Sequence, residues 1–206
     1  MGLFSFDVIP KVFVGIDIGS SALRIVEISG WGDRRTLKNY GEMRIRTLYD
    51  KPFRSFEKNS LLLSTQDIAK AIRGIMEEAG IKTRDAVFSI SDYSSFFTNF
   101  ELPAMNEKEL ADPIRFEARR HVPLPLAEVV LDWQLLEKRK KKNDLFKVLL
   151  VAVPKEVIHH YEEIARLAQL KLIAIEAEGF GGILAHLQEE KYPAILLDIG
   201  SHTTTA

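Results

Sequence analysis

The chain has 206 residues, 46% of them hydrophobic and 28% charged, with a formal net charge of −1. This composition indicates one or two globular domains, and the balanced charge excludes a general attraction to nucleic acid. The absence of cysteine excludes disulfides, thiolate metal sites and cysteine nucleophiles. No apolar run reaches the ~18–20 residues of a membrane-spanning helix, and no signal-peptide pattern opens the chain. We therefore expect a cytoplasmic protein.

The first third of the chain predicts three strands. Val12 to Asp17 and Leu23 to Ser29 are apolar runs on either side of a turn of small residues. The more polar stretch 36–47 is a candidate third strand, and residues 48–63 show no period and predict a loop.

The clearest helix is predicted over residues 67–79. Its isoleucines recur on one face, Ser64 or Thr65 can cap its start, and Gly80 can end it. Residues 84–102 then predict extended structure with a turn near residues 91–92.

The middle of the chain predicts another helix, running towards His121. Asn106 with Glu109 resembles a capping box that would open this helix. Pro113 interrupts it, so either the helix kinks or a new helix begins with Asp112 as its cap and Pro113 in its first position.

The last third alternates strands and helices, which is typical of an α/β or α+β protein. Strands over 129–136 and 145–153 form a predicted hairpin. A helix after Pro154 places four apolar residues on one stripe, namely Val157, Tyr161, Ile164 and Ala168. A strand over 172–175, a helix over 180–187 and a strand over 194–198 follow.

An internal repeat is the strongest signal in the sequence. Residues 14–25 are VGIDIGSSALRI and residues 195–206 are ILLDIGSHTTTA. Each copy places an apolar strand before Asp-Ile-Gly-Ser. The aspartate can orient water around a divalent cation, glycine lets the backbone approach a phosphate, and the following N–H groups can hold phosphoryl oxygens.

Paired loops of this kind resemble those of the actin, heat-shock chaperone and sugar-kinase superfamily. The segment from Phe100, FELPAMNEKELADPIRFEARRHVPLPLAEVVLDW, further resembles the PilM family of pilus-assembly proteins. So do the opening GLFS and the run GIDIGSS that begins at Gly15.

This resemblance implies an actin-like, ribonuclease H-like α/β fold with an α+β insertion of the type found in the cell-division protein FtsA. Residues 1–87 and 156–190 would form the first large subdomain, and residues 88–155 the inserted small subdomain. Residues 191–206 would begin a second large subdomain. The family's adenosine-binding segment would then lie beyond Ala206, so we expect residues 1–206 alone to bind no nucleotide, or to bind it weakly.

The resemblance also implies that ATP with Mg²⁺ is the cofactor of the full-length protein. Arg24 lies where the superfamily often has a basic phosphate contact, and Asp17 and Asp198 would approach the metal through water. The implied nucleotide-binding residues are Asp17, Gly19, Ser20, Ser21, Arg24, Asp198, Gly200, Ser201 and His202. No set of catalytic residues is recognisable, so the expected activity is at most a weak ATPase.

The family's partner is the cytoplasmic tail of a PilN-type inner-membrane protein, held in a groove beside the insertion. Other platform proteins of the type IV pilus would also bind, and the protein would associate with the inner membrane only through these partners. Aromatic side chains near the FELP segment can line such a groove, although core packing explains them equally well. The predicted partner-binding residues are Phe96, Phe97, Phe100 and Leu102, with Arg115, Arg119 and Arg120 at the rim.

Three alternatives remain open from the sequence. A sugar- or acetate-kinase-like phosphotransferase would share the fold but would need a substrate pocket and a base. An FtsA-like division protein and a scaffold that binds no nucleotide are the other two. The basic tract over 138–142 predicts a solvated hairpin tip or a contact with anionic lipid.

Overall fold

A computed structural model describes residues 12–31, 34–44, 64–103, 105–106, 109–136, 145–186, 194–200 and 204–206. Its strands and helices are, in chain order, β1 (Val12–Ile18), β2 (Ala22–Trp31), β3 (Arg34–Arg44), α1 (Thr65–Glu78), β4 (Asp85–Ile90), β5 (Phe96–Leu102), α2 (Ala111–His121), β6 (Val129–Leu135), β7 (Phe146–Pro154), α3 (Lys155–Leu167), β8 (Lys171–Ala177), α4 (Glu178–His186), β9 (Asp198–Ile199) and β10 (Thr204–Thr205). The predicted loop over 48–63 and the basic tract over 138–142 lie outside the described residues.

The larger sheet has five strands in the order β3-β2-β1-β4-β8. Strands β1 to β3 are antiparallel neighbours, whereas β4 lies parallel to both β1 and β8. Alternate residues of β1, namely Val14, Ile16 and Ile18, are buried in the larger core, as expected of a strand with one covered face. Because β1, β4 and β8 are parallel, the residues that follow them meet at one edge of the sheet.

Helices α1 and α3 cover that core. Ser64 caps α1 as predicted, because its hydroxyl accepts a hydrogen bond from the backbone N–H of Asp67 at 3.2 Å. The chain leaves α1 through Gly80, whose φ of +67° suits glycine. The predicted apolar stripe of α3 is buried, and Tyr161 meets Phe88 edge to face with ring centroids 5.8 Å apart.

The smaller sheet is antiparallel in the order β5-β7-β6, and α2 packs against it. Strand β7 joins the two cores, because Val151 and Val153 face the larger core while Leu150 and Ala152 face the smaller one. Strand β4 stays in the larger sheet as far as Ile90, past the expected start of the insertion at residue 88. The α/β class with a small inserted sheet, expected from the sequence, is confirmed.

The predicted capping box at the start of α2 is wrong. The helix begins at Ala111 rather than after Asn106, and its N-cap is Leu110, whose side chain makes no capping hydrogen bond. Pro113 is its third residue. The first four N–H groups of a helix have no partner within the helix, so a proline there costs no hydrogen bond and no kink is needed.

The predicted strand over 194–198 is also corrected, because only Asp198 and Ile199 form β9. Ile195 is 84% exposed and Leu197 is 61% exposed, so the apolar run before the second Asp-Ile-Gly-Ser is not a buried strand like β1. Among the described residues, β9 pairs only with the two residues of β10. Such a short ladder supplies few hydrogen bonds to hold a longer strand.

The longest described helix, α1, has 14 residues, and no helix in the described ranges is long and apolar enough to cross a membrane.

A half-buried carboxyl group lies where the two sheets meet. Glu176 of β8 has its Oε1 sealed from solvent, with no hydrogen-bond partner among the described residues. Burial, together with the nearby carboxylate of Asp132 on β6, raises the pKa of Glu176 to about 7.

Replacing Glu176 with glutamine is expected to make the stability of the chain less sensitive to pH. A raised folded-state pKa means that the folded chain holds this proton longer than the unfolded chain does, so wild-type stability falls as the pH rises from about 4.5 to about 7. Because water reaches part of the side chain, we expect a loss of only about 1 kcal/mol. Denaturant melts at pH 5 and pH 8 measure this difference.

The matched control is Glu77→Gln on the exposed face of α1, which should follow the wild-type pH profile. A Glu176→Gln profile parallel to that of the wild type would show that the junction carboxyl ionises as freely in the folded chain as in the unfolded chain.

Candidate functional site

The first Asp-Ile-Gly-Ser copy forms a tight turn between β1 and β2. The N–H of Gly19 donates to the carbonyl oxygen of Ala22 at 3.0 Å. A Cβ at Gly19 would lie 3.1 Å from that oxygen, so a larger residue would have to move the two sides of the turn apart by a few tenths of an ångström. Asp17, the second-last residue of β1, lies opposite Arg24 of β2, and one Arg24 Nη lies 3.3 Å from Asp17 Oδ2. Arg24 Nε also donates to Glu42 at 2.9 Å, so the guanidinium is held at the edge of the turn.

The two copies of the repeat line one cavity of about 660 Å³. The residues predicted from the sequence that line it are Asp17, Gly19, Ser20, Ser21, Arg24, Asp198 and Gly200. The two remaining predicted residues, Ser201 and His202, lie outside the described residues. Two segments about 180 residues apart in the chain therefore face the same cavity, with one aspartate from each side.

The sequence reasoning missed several further residues of this cavity. They are Ser91, Asp92 and Tyr93 after β4, Glu178 at the start of α4, and Ile199 and Thr205 around β9 and β10. A usable signal did exist. In parallel sheets, ligands bind beyond the carboxyl ends of the strands. Ser91 to Tyr93 lie at and just after the turn predicted near residues 91–92, and Glu178 comes shortly after the strand predicted over 172–175.

Carboxylates dominate the electrostatics of the cavity. Burial raises the pKa of Asp17, and Asp198 raises it further, while the ion pair with Arg24 lowers it. Burial likewise raises the pKa of Glu178 to about 7, and the negative charges of Asp17, Asp198 and Asp92 add to this shift. Of the residues that the structure describes, four carboxyl groups and one arginine line the cavity, and this excess of acidic groups is one that a bound cation would relieve.

The donor chemistry suits Mg²⁺ with a phosphate ligand. Mg²⁺ prefers oxygen donors, keeps several waters and is usually held through one or two carboxylates together with phosphate oxygens. Asp17 and Asp198 are the carboxylates that could hold it, and it would neutralise the phosphate charge. In the described ranges, no group of three or more His, Cys, Asp or Glu side chains forms a metal site by itself.

Two grooves flank α2, and Arg115 and Arg119 line both of them. The first has a volume of about 490 Å³ and an apolar floor that includes Leu126, Leu131 and Trp133. Lys155 at the start of α3 completes its basic rim. We call this the inner groove. The second, the outer groove, contains the exposed ring of Phe116.

The predicted partner-binding residues do not share one surface in the structure. Some pack against a core and others line the grooves. Phe96 and Phe100 pack against the smaller core and are not among the residues that line either groove; the Phe100 ring stacks on His121 at 5.4 Å. Leu102 is 4% exposed and reaches the outer groove.

The other four predicted residues have different surroundings. Phe97 lies on the opposite face of β5 and meets Phe180 at 5.4 Å. Of the predicted rim residues, Arg115 and Arg119 line the grooves, whereas Arg120 pairs with Glu117 at 3.3 Å. Alternation along a strand predicts two faces, and only the packing shows that both are occupied here.

One solved structure resembles this chain in both sequence and fold. A chain of the PilM-PilN type IV pilus biogenesis complex is 26% identical, with a TM-score of 0.72; the match covers 85% of this chain and 50% of that one. The chain therefore spans about half the length of this relative.

Two weaker structural matches are 10% identical. The cytoplasmic domain of EpsL, an inner-membrane component of the type II secretion system of Vibrio cholerae, has a TM-score of 0.49 over 81% of this chain and 57% of that one. A Bacteroides thetaiotaomicron protein described as having an actin-like ATPase fold has a TM-score of 0.37 over 85% and 55%.

The sequence profile of the family described as type IV pilus assembly protein PilM matches residues 15–205, which is nearly the whole chain. The match includes both loops of the cavity and both sheets. The chain belongs to the PilM family of type IV pilus assembly proteins.

Proposed function

We propose that the chain is a cytoplasmic scaffold of the inner-membrane platform that assembles type IV pili. In this proposal it binds the cytoplasmic tail of a PilN-type membrane protein, and it binds ATP with Mg²⁺ in the full-length gene product. The nucleotide acts as a structural or regulatory ligand. Membrane association comes through the partner.

The observation that carries the nucleotide part is the convergence of the two Asp-Ile-Gly loops on one cavity. Asp17 and Asp198 line the cavity together with Gly19 and Gly200, where the absence of a side chain lets a phosphate approach the backbone, and Arg24 adds a cation. The excess of carboxylates requires that a triphosphate arrive with a metal ion, since the bare anion would be repelled. A ligand that bridges two segments so far apart in the chain would favour the arrangement in which they are close.

The partner part rests on the chemistry of the inner groove. An apolar floor with one large aromatic side chain suits a short extended or helical peptide that buries alternate apolar side chains. Aromatic residues in such positions commonly contribute most of the binding energy. Among the described residues, the charged side chains that line the groove are those of Arg115, Arg119 and Lys155, and none is acidic.

Titration of the chain with a synthetic PilN-type cytoplasmic tail is expected to show saturable binding. The two sheets and the groove between α2 and β6 are formed within residues 12–200, so binding should not require nucleotide. Isothermal calorimetry against a scrambled tail of the same composition measures the difference. A folded chain that binds both peptides equally, or neither, would refute the partner assignment.

A further inference from the structure

The start of α4 lies between the cavity and the smaller sheet and touches both. Its first residue, Glu178, lines the cavity. Its second, Gly179, donates its backbone N–H to Asp92 Oδ1 at 3.2 Å, and its third, Phe180, meets the Phe97 ring of β5 at 5.4 Å. Three consecutive residues thus connect the ligand cavity with the inserted sheet.

Asp92 belongs both to the cavity lining and to the start of α4. It lines the cavity, and it is also the acceptor for an N–H in the first turn of α4, where a helix has donors without partners within the helix. A carboxylate near a helix N-terminus is also favoured by the helix dipole. Only three residues separate Asp92 from Phe96, where β5 begins. A change in the position of Asp92 therefore acts on both α4 and the start of β5.

The contact between Asp92 and Gly179 is closely packed, so a small shift of either residue would change it. A Cβ built at Gly179 would lie 2.8 Å from Asp92 Oδ2, a distance that real side chains do not adopt. The two segments are therefore in direct backbone-to-carboxylate contact, with no intervening side chain. Gly181, two residues further along α4, has open space instead, and its nearest atom would be Glu176 Cγ at 4.0 Å.

We propose that the Asp92–Gly179 contact couples occupancy of the cavity to binding of the partner on the inserted sheet. This inference rests on the proposed function and adds its means of regulation. A cation and phosphates entering among Asp17, Asp92, Glu178 and Asp198 would attract or displace the Asp92 carboxylate. The first turn of α4 and the Phe97–Phe180 contact would then shift with it. Because binding linkage is reciprocal, the partner tail changes nucleotide affinity by the same factor.

The test compares Gly179→Ala with Gly181→Ala in the full-length gene product. Both substitutions add one methyl group to the same helix and raise its helix propensity equally, but only the first displaces Asp92. The dissociation constant of the PilN-type tail is measured with and without Mg²⁺-ATP at saturating concentration. We expect the two constants to differ by about fivefold or more in wild type and Gly181→Ala, and by less than about twofold in Gly179→Ala.

The proposal would be overturned if the ratio of the two dissociation constants were the same in Gly179→Ala and Gly181→Ala. It would also be overturned if Mg²⁺-ATP and the tail both bind the wild type but the ratio is one. If the tail does not bind, the proposed function fails, and hydrogen exchange then tests the coupling separately. Mg²⁺-ATP should slow exchange of the β5 amides in Gly181→Ala but not in Gly179→Ala.

A third experiment tests the coupling without any ligand. Glu178→Gln removes an ionisable carboxyl group from the cavity and should alter β5 exchange in the wild-type and Gly181→Ala backgrounds alone. The same response in the Gly179→Ala background, or no response in any background, would contradict the coupling.

Discussion

Replacing Trp133 with alanine is expected to weaken binding of the PilN-type tail by about 2 kcal/mol or more, which is roughly 30-fold in Kd. Trp133 lies on β6 in the floor of the inner groove and is half-buried. Its indole is the largest apolar surface available there to a peptide, and truncation to alanine removes most of that contact area. Calorimetric titration with the tail measures the loss.

Leu135→Ala is the matched control. Leu135 packs against the same smaller core two residues further along β6 but does not line the inner groove. Both variants should lose stability by comparable mechanisms, and only Trp133→Ala should lose the tail. Equal losses of binding would mean that the effect comes from damage to the core, and the groove would have to be sought elsewhere.

Replacing Asp17 with alanine is expected to weaken Mg²⁺-ATP binding by the full-length gene product at least about tenfold, and more than Ser21→Ala does. The carboxylate at the end of β1 can order the waters of the cation, whereas a phosphate loop uses the backbone N–H of Ser21 and keeps it after the hydroxyl is removed. Asp17 also pairs with Arg24 at 3.3 Å, so its loss disturbs a cation of the cavity lining. Fluorescent-nucleotide titration with and without Mg²⁺ measures both losses.

Circular dichroism melts serve as the control for the fold. Arg24 keeps its hydrogen bond to Glu42 at 2.9 Å in the absence of Asp17, so β2 and β3 should remain paired. Equal losses for the two variants, or a loss for Asp17→Ala that is independent of Mg²⁺, would show that the loop does not bind nucleotide through a metal ion.

The sequence by itself determined the local features whose causes lie within a few residues. Helix α1 follows from isoleucines at helical spacing, a serine cap and a terminal glycine, and all three act within the helix. The turn at Gly19 follows from a local run of small residues, closed by the hydrogen bond from the Gly19 N–H to the carbonyl oxygen of Ala22. The resemblance to the PilM family also comes from the sequence alone, because it depends on runs of particular residues and not on the fold.

Only the tertiary structure decided which distant segments share a surface. Ser91, Asp92 and Glu178 join the cavity because β4 and β8 run parallel to β1, and strand direction is a property of the sheet that no single strand encodes. The two faces of β5 were likewise undecided, since alternating phenylalanines fit a groove or a core equally well. In the structure α2 partly covers one face and α4 partly covers the other. The apolar run before Asp198 looked like a second copy of β1. Its side chains are nevertheless exposed, because apolar residues form a buried strand only where neighbouring strands and a covering layer are available to receive them.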